Sequence, residues 1–161
     1  MSTAGERLVS LNKAGSGAHL VVGSECTEIF NQLKLKRKWR YLTFVVGTET
    51  IEVEKKGDRG SSYDSFKGAL PYTDCRFVIY DQEKMDPVRK VPVNKIWFLT
   101  WNPVNSSTHN KMAYTAAKQK LVSALGSALS EANVRSPEEL DSALGVEAAE
   151  EDGDDDDWMD S

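Results

Sequence analysis

Two stretches of the sequence carry large apolar side chains at consecutive positions: CRFVIYD, residues 75–81, and KIWFLTW, residues 95–101. Successive side chains of a β-strand point to opposite faces of the sheet. Both faces of these two strands therefore need an apolar cover, as in sheets that are buried on both sides. The pattern predicts a sheet that lies between two layers of helices.

Shorter patterns predict further elements. SECTEIFNQLKL, residues 24–35, has apolar positions at three- and four-residue spacings and predicts an amphipathic helix with Ser24 as its candidate N-cap. RYLTFVV and TIEVEKK, residues 40–46 and 50–56, flank a short Gly-containing link and predict a hairpin whose second strand has one wet face. SSYDSFKGAL, residues 61–70, predicts a short helix that ends before a proline. Its inward side chains are expected to be Tyr63, Phe66 and Leu70.

The helix predicted after KIWFLTW carries a methionine on its polar side. At about 100° per residue, most of the apolar residues of this helix cluster on one side: Tyr114, Ala117, Leu121, Leu125 and Ala128. The opposite side holds Met112, Ala116, Gln119 and Ser123. A flexible thioether beside a small residue, near His109 and Lys111, suits docking onto an apolar cleft of another protein. Single exposed apolar residues are also ordinary, so the helix alone leaves both readings open.

Length and charge divide the chain into three parts. With 161 residues it is long enough for one domain with a substantial core. Residues 147–161 hold nine acids and no base, which leaves 20 bases against 16 acids elsewhere, a body of +4. We expect a flexible N-terminal extension over residues 1–17, a domain over residues 18–146, and a disordered acidic tail over residues 147–161.

Several classes of protein are disfavoured by the sequence. No run approaches the roughly 20 apolar residues of a membrane-crossing helix, and the N-terminus has no secretory or transit signal, so we expect a soluble cytosolic protein. Cys26 and Cys75 are expected to be reduced core residues, not parts of a disulfide framework or a metal site. No nucleotide-binding or zinc motif occurs, and spacing gives His19 and His109 no acidic partner. We expect no enzyme, no cofactor and no bound metal.

Residues 34–40, KLKRKWR, form the most basic cluster. Such a cluster can steer anionic lipid or nucleic acid, or serve as a nuclear address. It is also typical of a solvated helix end, where the helix dipole favours cations. We favour the second interpretation, with no nucleic-acid partner, and keep nuclear localisation as an open alternative to the cytoplasm.

Three stretches together resemble the actin-depolymerising factor/cofilin family: SECTEIFNQLKLKRKWRYLTF, SSYDSFKGALPYTDCRFVIYD and KIWFLTWNPVNSSTHNKMAYTAAKQKL. The resemblance covers about residues 18–144. It implies a fold of the α/β class, α+β type: a single ADF-homology domain whose central mixed sheet of five or six strands lies between helix pairs. It also implies a monomeric cytoskeletal protein that binds actin monomers and filaments, depolymerises filaments and severs them.

The resemblance assigns a monomer-binding site. In the family the long helix inserts between two actin subdomains, led by a basic residue and a methionine that match Lys111 and Met112; His109 and Ala116 lie beside them. The segment before the first helix contacts the same actin, which here implicates Leu20 and Val21. Their apolar side chains could equally pin this segment to the core.

A second, filament-only surface of the family uses a basic loop between strands and the last helix. Arg89, Lys90 and Lys95 match the character of the loop, although exposed charges are often merely solvated. The last helix here, SPEELDSAL, lacks the bases with which the family helps to grip filaments, so the sequence supports monomer binding more strongly than severing. The family's regulatory phosphoserine falls at Ala18. Where many members carry a basic triplet in the long helix, this chain has VSA, residues 122–124, so we expect weak or absent phosphoinositide binding.

The tail ends in GDDDDWMDS, residues 153–161. It is similar to the acidic-tryptophan ends of nucleation-promoting factors, so Asp156, Asp157 and Trp158 are candidate contacts with the branch-forming complex of actin-related proteins. In that case the carboxylates approach a basic groove while the indole fills an apolar pocket. The alternative is a solubilising tail, or one that folds back on the basic body and competes with actin.

Overall fold

In the computed structural model, which describes residues 20–126 and 129–146, the two apolar stretches are neighbouring antiparallel strands. They pair from Arg76 with Trp101 to Met85 with Pro92. They belong to one mixed sheet of six strands in the spatial order β1-β3-β2-β4-β5-β6. The strands are β1 (Val21–Val22), β2 (Trp39–Val46), β3 (Thr50–Asp58), β4 (Arg76–Met85), β5 (Pro92–Trp101) and β6 (Ser130–Val134). Among the strand pairs of the described residues, β1–β3 and β5–β6 are parallel and the others antiparallel.

The described residues also form four helices, of which three connect strands and the fourth follows β6. They are α1 (Ser24–Lys34), α2 (Tyr63–Gly68), α3 (Thr108–Leu125) and α4 (Pro137–Leu144). The predicted hairpin is confirmed, because β2 and β3 pair antiparallel across residues 47–49. The predicted short helix is confirmed as α2, which buries Phe66 completely.

The two faces of the sheet are covered by different helix pairs, as the apolar stretches predict. On one face Phe77 and Phe98 share a core cluster with residues of α1 and α3, such as Phe30 and Leu121. The other face collects residues of α2 and α4 around the next positions of the same strands. Its members include Phe66, Val78, Leu99, Trp101, Leu140 and Leu144. The prediction of a sheet between helix pairs is confirmed.

The expected cap of the first helix is wrong. Ser24 is the first residue of α1, the N-cap is Gly23, and no side chain caps this end. The reason lies in β1: the Gly23 amide donates to the Ile51 carbonyl at 2.8 Å, which ties the segment to β3 up to the helix start. The Gly23 carbonyl then accepts from the Cys26 amide at 3.0 Å.

Cys26 and Cys75 are confirmed as free, buried cysteines. Burial raises the pKa of Cys26 to about 11 and also raises the pKa of Cys75. Both thiols therefore stay protonated near neutral pH and are poor nucleophiles. Neither one is an accessible reactive group.

The close contact of Gly57 with the Tyr41 ring gives a test of the fold. A Cβ on Gly57 would overlap that ring, whereas a Cβ on Gly60 would meet nothing within 4 Å. We expect Gly57→Ala to lower the free energy of unfolding by about 1–3 kcal/mol, as overpacking does. Urea unfolding measures this change, with Gly60→Ala as the matched control. Equal unfolding curves for the two variants would contradict the packing of Tyr41 on Gly57.

Candidate functional site

Helix α3 is fixed in rotation by its buried side. The Ser107 side chain caps the helix by accepting from the Asn110 amide at 3.1 Å. The buried residues of the helix are Ala113, Tyr114, Ala117, Leu121 and Leu125. The Tyr114 hydroxyl accepts a hydrogen bond from the Val46 amide at 2.9 Å, which ties the helix to β2. Burial raises the pKa of Tyr114, so this hydroxyl stays protonated.

With α3 held in this way, Met112 faces solvent at 67% exposure. Ala116, Gln119 and Ser123 are also exposed. The prediction that the methionine lies outside the buried stripe is therefore confirmed. Ala128, expected on the buried side, lies outside the described residues.

Three further exposed apolar side chains lie at the same end of the sheet as Met112. Tyr72 is 77% exposed, Val104 68% and Val21 61%. Tyr72 and Val104 lie on the loops that precede β4 and follow β5, and Val21 lies on β1, which α3 contacts. We call Val21, Tyr72, Val104 and Met112 the apolar end.

The loops of the apolar end are hydrogen-bonded to rigid elements. The indole nitrogen of Trp101 donates to the Pro71 carbonyl at 2.6 Å, next to Tyr72. The Asn110 side chain donates to Asp74 Oδ1 at 2.9 Å, which joins this loop to the first turn of α3. Sequence reasoning missed Tyr72 and Val104. The available signal was that each apolar residue directly follows a proline in an otherwise polar loop.

Lys111 is turned toward its own protein. Its ammonium donates to the Pro103 carbonyl at 2.6 Å, to Ser106 Oγ at 2.7 Å and to Asn102 Oδ1 at 3.2 Å. These three acceptors match the three donors of a lysine ammonium. Lys111 therefore fastens the loop between β5 and α3, which carries Val104, to the first turn of the helix beside Met112.

The other residues assigned to the monomer site divide between surface and core. His109 is exposed in the first turn of α3. Leu20 is only 4% exposed and belongs to the core cluster that includes residues of α1 and α3, which favours the alternative that this side chain pins the segment to the core. It is buried because β1 holds this segment along β3, which leaves Val21 on the outside. A contact of Leu20 with actin stays a prediction.

Arg89, Lys90 and Lys95 lie at the opposite end of the sheet. Residues 86–91 join β4 to β5, and Asp86 organises this turn by accepting from the Val88 and Arg89 amides at 2.9 and 3.2 Å. Arg89 also pairs with the Asp86 carboxylate at 2.9 Å, and this hydrogen bond lowers the pKa of Asp86. The Lys95 ammonium lies 4.4 Å from the Trp97 ring centroid.

We call residues 84–95 the basic hairpin. Its turn is separate from the apolar end, because the ten residues of β4 make nine steps of about 3.4 Å between the loop of Tyr72 and residue 85, about 30 Å in all. Its exposed apolar side chains are Met85, Val88 and Val91, at 61%, 84% and 41% exposure. The structure therefore presents two distinct candidate surfaces, one at each end of the β4–β5 pair.

Residues of the basic cluster and of the last helix form ion pairs within the protein. In the basic cluster of residues 34–40, Arg37 and Arg40 contact Glu83, Arg40 at 3.1 Å. The hydrogen bond from Arg40 lowers the pKa of Glu83. In the last helix, Asp141 accepts from the Tyr63 hydroxyl at 2.6 Å and pairs with Lys67 at 3.1 Å. Ala18 and the tail residues Asp156, Asp157 and Trp158 lie outside the described residues.

A family model for cofilin/tropomyosin-type actin-binding proteins matches residues 19–148, so this chain belongs to that family. Its match to actin-depolymerizing factor 4 of Oryza sativa subsp. japonica is 36% identical over 110 residues and covers 66% of this chain and 78% of that protein. It is also 36% identical over 105 residues to actophorin of Acanthamoeba castellanii, covering 63% of this chain and 74% of that protein.

Among solved structures, the fold is similar to that of Streptomyces griseoflavus cofilin, with a TM-score of 0.68 and 31% identity over 75% of this chain and 91% of that one. Plasmodium berghei actin depolymerization factor 2 gives a TM-score of 0.66 and 28% identity over 73% and 86% of the two chains. The mixed six-stranded sheet with helices is thus the fold of this family. The branch-junction alternative gains no support from these relatives.

The hydrogen bonds of Lys111 generate a prediction about the loop. Lys111→Ala removes the donor shared by three acceptors, so we expect local opening of residues 102–106 to become easier by about 1–3 kcal/mol. Hydrogen exchange of the Ser106 amide, which donates to the Pro103 carbonyl at 3.0 Å, measures this opening. Met112→Ala is the control, because it removes an exposed side chain. Unchanged exchange in Lys111→Ala would contradict the fastening role.

Proposed function

We propose that this chain binds actin monomers and filaments and promotes filament depolymerisation, with the apolar end as its docking surface for actin. The observation that carries the proposal is the exposed Met112 at the start of a rotationally fixed helix, in a chain that belongs to an actin-binding family. The relative and the solved structure that are named as actin-depolymerising factors support the same activity.

The apolar end has the properties of a binding surface. Its four side chains are 61% to 77% exposed, and they are held by elements whose hydrogen bonds limit the entropy lost on binding. Interface energy is concentrated in a few central apolar anchors surrounded by near-neutral contacts. We assign Met112 as the central anchor, with Val21, Tyr72 and Val104 around it. His109 and Ala116 complete the surface on α3, and Lys111 positions it.

The basic hairpin is proposed as the additional contact that only a filament offers. Lys90 and Lys95 are exposed and form no ion pair with the described residues. Arg89 instead holds the turn through Asp86, so its first effect is on hairpin geometry. Because α4 carries Asp141 and Ser142 where the family has bases, filament severing has less support than monomer binding in this proposal.

The remaining parts of the proposal follow from the family and the charge distribution. The actin-binding domain spans residues 18–146 and acts as a monomer without catalysis. Its partner is cytoskeletal actin in the cytoplasm, with weak or no phosphoinositide binding and no nucleic-acid partner. Filament severing watched by microscopy separates depolymerisation with severing from simple monomer sequestration.

The monomer site is tested by Met112→Ala, alone and with Lys111→Ala. We expect Met112→Ala to lower affinity for monomeric actin by about 2 kcal/mol, and the double variant to lose several kcal/mol, as for central anchors. Calorimetry with monomeric actin measures both, and thermal unfolding checks that the fold is intact. Gln119→Ala, exposed further along the same helix, is the control. Normal binding by the folded double variant would place the site elsewhere.

The filament site is tested by Lys90→Ala combined with Lys95→Ala. We expect weaker co-sedimentation with filaments, by about 0.5–2 kcal/mol for two exposed charges, while monomer affinity stays unchanged. The matched control is Lys36→Ala with Lys38→Ala, which removes two exposed charges from the basic cluster of residues 34–40. Equal filament binding by the two double variants would contradict a role of the basic hairpin.

A further inference from the structure

The last described residues lie at the base of the basic hairpin. The Leu144 carbonyl at the end of α4 accepts from the Gln82 side chain at 2.7 Å, and Gln82 in turn accepts from the Trp97 indole at 3.0 Å. Gly145 follows with a left-handed φ of 70°. The Lys84 ammonium lies 2.9 Å from the position that a Cβ on Gly145 would take. The described residues therefore end, at residue 146, close to Lys84 of β4.

The charges of the tail and the hairpin are opposite. Residues 147–161 contain nine acids and no base. The hairpin contributes four bases, of which Lys84, Lys90 and Lys95 form no ion pair with the described residues. Individual exposed ion pairs are weak, but several formed by one tethered segment act together at a high effective concentration.

The apolar groups of the two segments also match. The tail carries Trp158 and Met159 among its carboxylates. The hairpin exposes Met85, Val88 and Val91 beside its lysines. From residue 146 to residue 154 an extended chain spans at most about 26 Å, enough to pass the end of β4 and reach the turn. The four consecutive aspartates and the indole can therefore lie along the hairpin in one chain direction.

We propose that residues 147–161 fold back onto the basic hairpin of the same chain and cover it. The carboxylates of residues 154–157 pair with Lys84, Lys90 and Lys95, and the Trp158 ring packs on Met85 and Val88. Covering the hairpin competes with filament binding and leaves the apolar end, about 30 Å away, open to actin monomers. The tail contact itself needs no actin, whereas the competition rests on the proposed filament site.

A spin label tests the contact without actin. Met159→Cys in the full chain takes a nitroxide selectively, because Cys26 and Cys75 are buried with raised pKa values. At low salt we expect loss of amide signal in residues 84–91 and none in residues 47–49 at the other end of the sheet. The signals should return near 1 M salt, where the screening length is about 3 Å. Unchanged hairpin signals, or losses centred on residues 34–40, would overturn the proposal.

Neutralising the tail tests the charge pairing and the competition. In the full chain with D154N/D155N/D156N/D157N, the spin label should no longer weaken the amide signals of the hairpin. The control E25Q/E28Q/E49Q/D64N changes the same number of exposed acids on the body, and in this variant the label should still weaken those signals.

The same pair of variants separates the contact from its consequence for actin. If the tail covers the hairpin nine-tenths of the time, filament affinity of the neutralised variant rises about tenfold while monomer affinity is unchanged. Unchanged filament affinity would overturn the competition even where the label confirms the contact. Failure of Lys90→Ala with Lys95→Ala to weaken filament binding would overturn the filament site instead.

Discussion

The pairing of β4 with β5 is the constraint on which the rest of this structure depends. Near the apolar end, the residues of this pair are buried on both faces, so helices must cover the sheet from both sides. Toward the other end, the same two strands extend beyond the helices and form the basic hairpin. One ladder thus anchors the loops of the apolar end and carries the second candidate surface away from them. The separation of the two surfaces follows directly from the length of these strands.

The apolar end is held in place by hydrogen bonds of the elements that carry it. Tyr114 ties α3 to β2, and Lys111 fastens the loop between β5 and α3 to the helix. Met112 lies between these two fixed residues and has no inward position available. Its exposure is therefore a consequence of packing on its neighbours. Lys111, which the resemblance assigns to the partner contact, donates here to the loop that it fastens, and its own contact with actin stays a prediction.

Because charge is distributed unevenly, we expect salt and the acidic tail to affect the two ends of the sheet differently. A contact at the apolar end would bury apolar surface, which salt affects little, whereas a contact at the basic hairpin would involve exposed charges that salt screens. The proposed tail contact would cover the second surface only, since the described residues end near Lys84. Under that proposal a single chain binds monomers whether or not the tail is in place, and binds filaments only when the tail is displaced. The +4 body and the nine-acid tail are thus two parts of one electrostatic arrangement.

The sequence by itself determined the layers, because consecutive apolar residues in 75–81 and 95–101 require cover on both faces whatever the topology. It also determined the wet position of Met112, since helical periodicity is local. Tertiary structure decided what depends on distant partners. The position of Gly23 as the N-cap of α1 follows from pairing with β3, and Leu20 is buried for the same reason. The inward turn of Lys111 and the grouping of Tyr72 and Val104 arise because loops far apart in sequence meet at one sheet end, which periodicity does not encode.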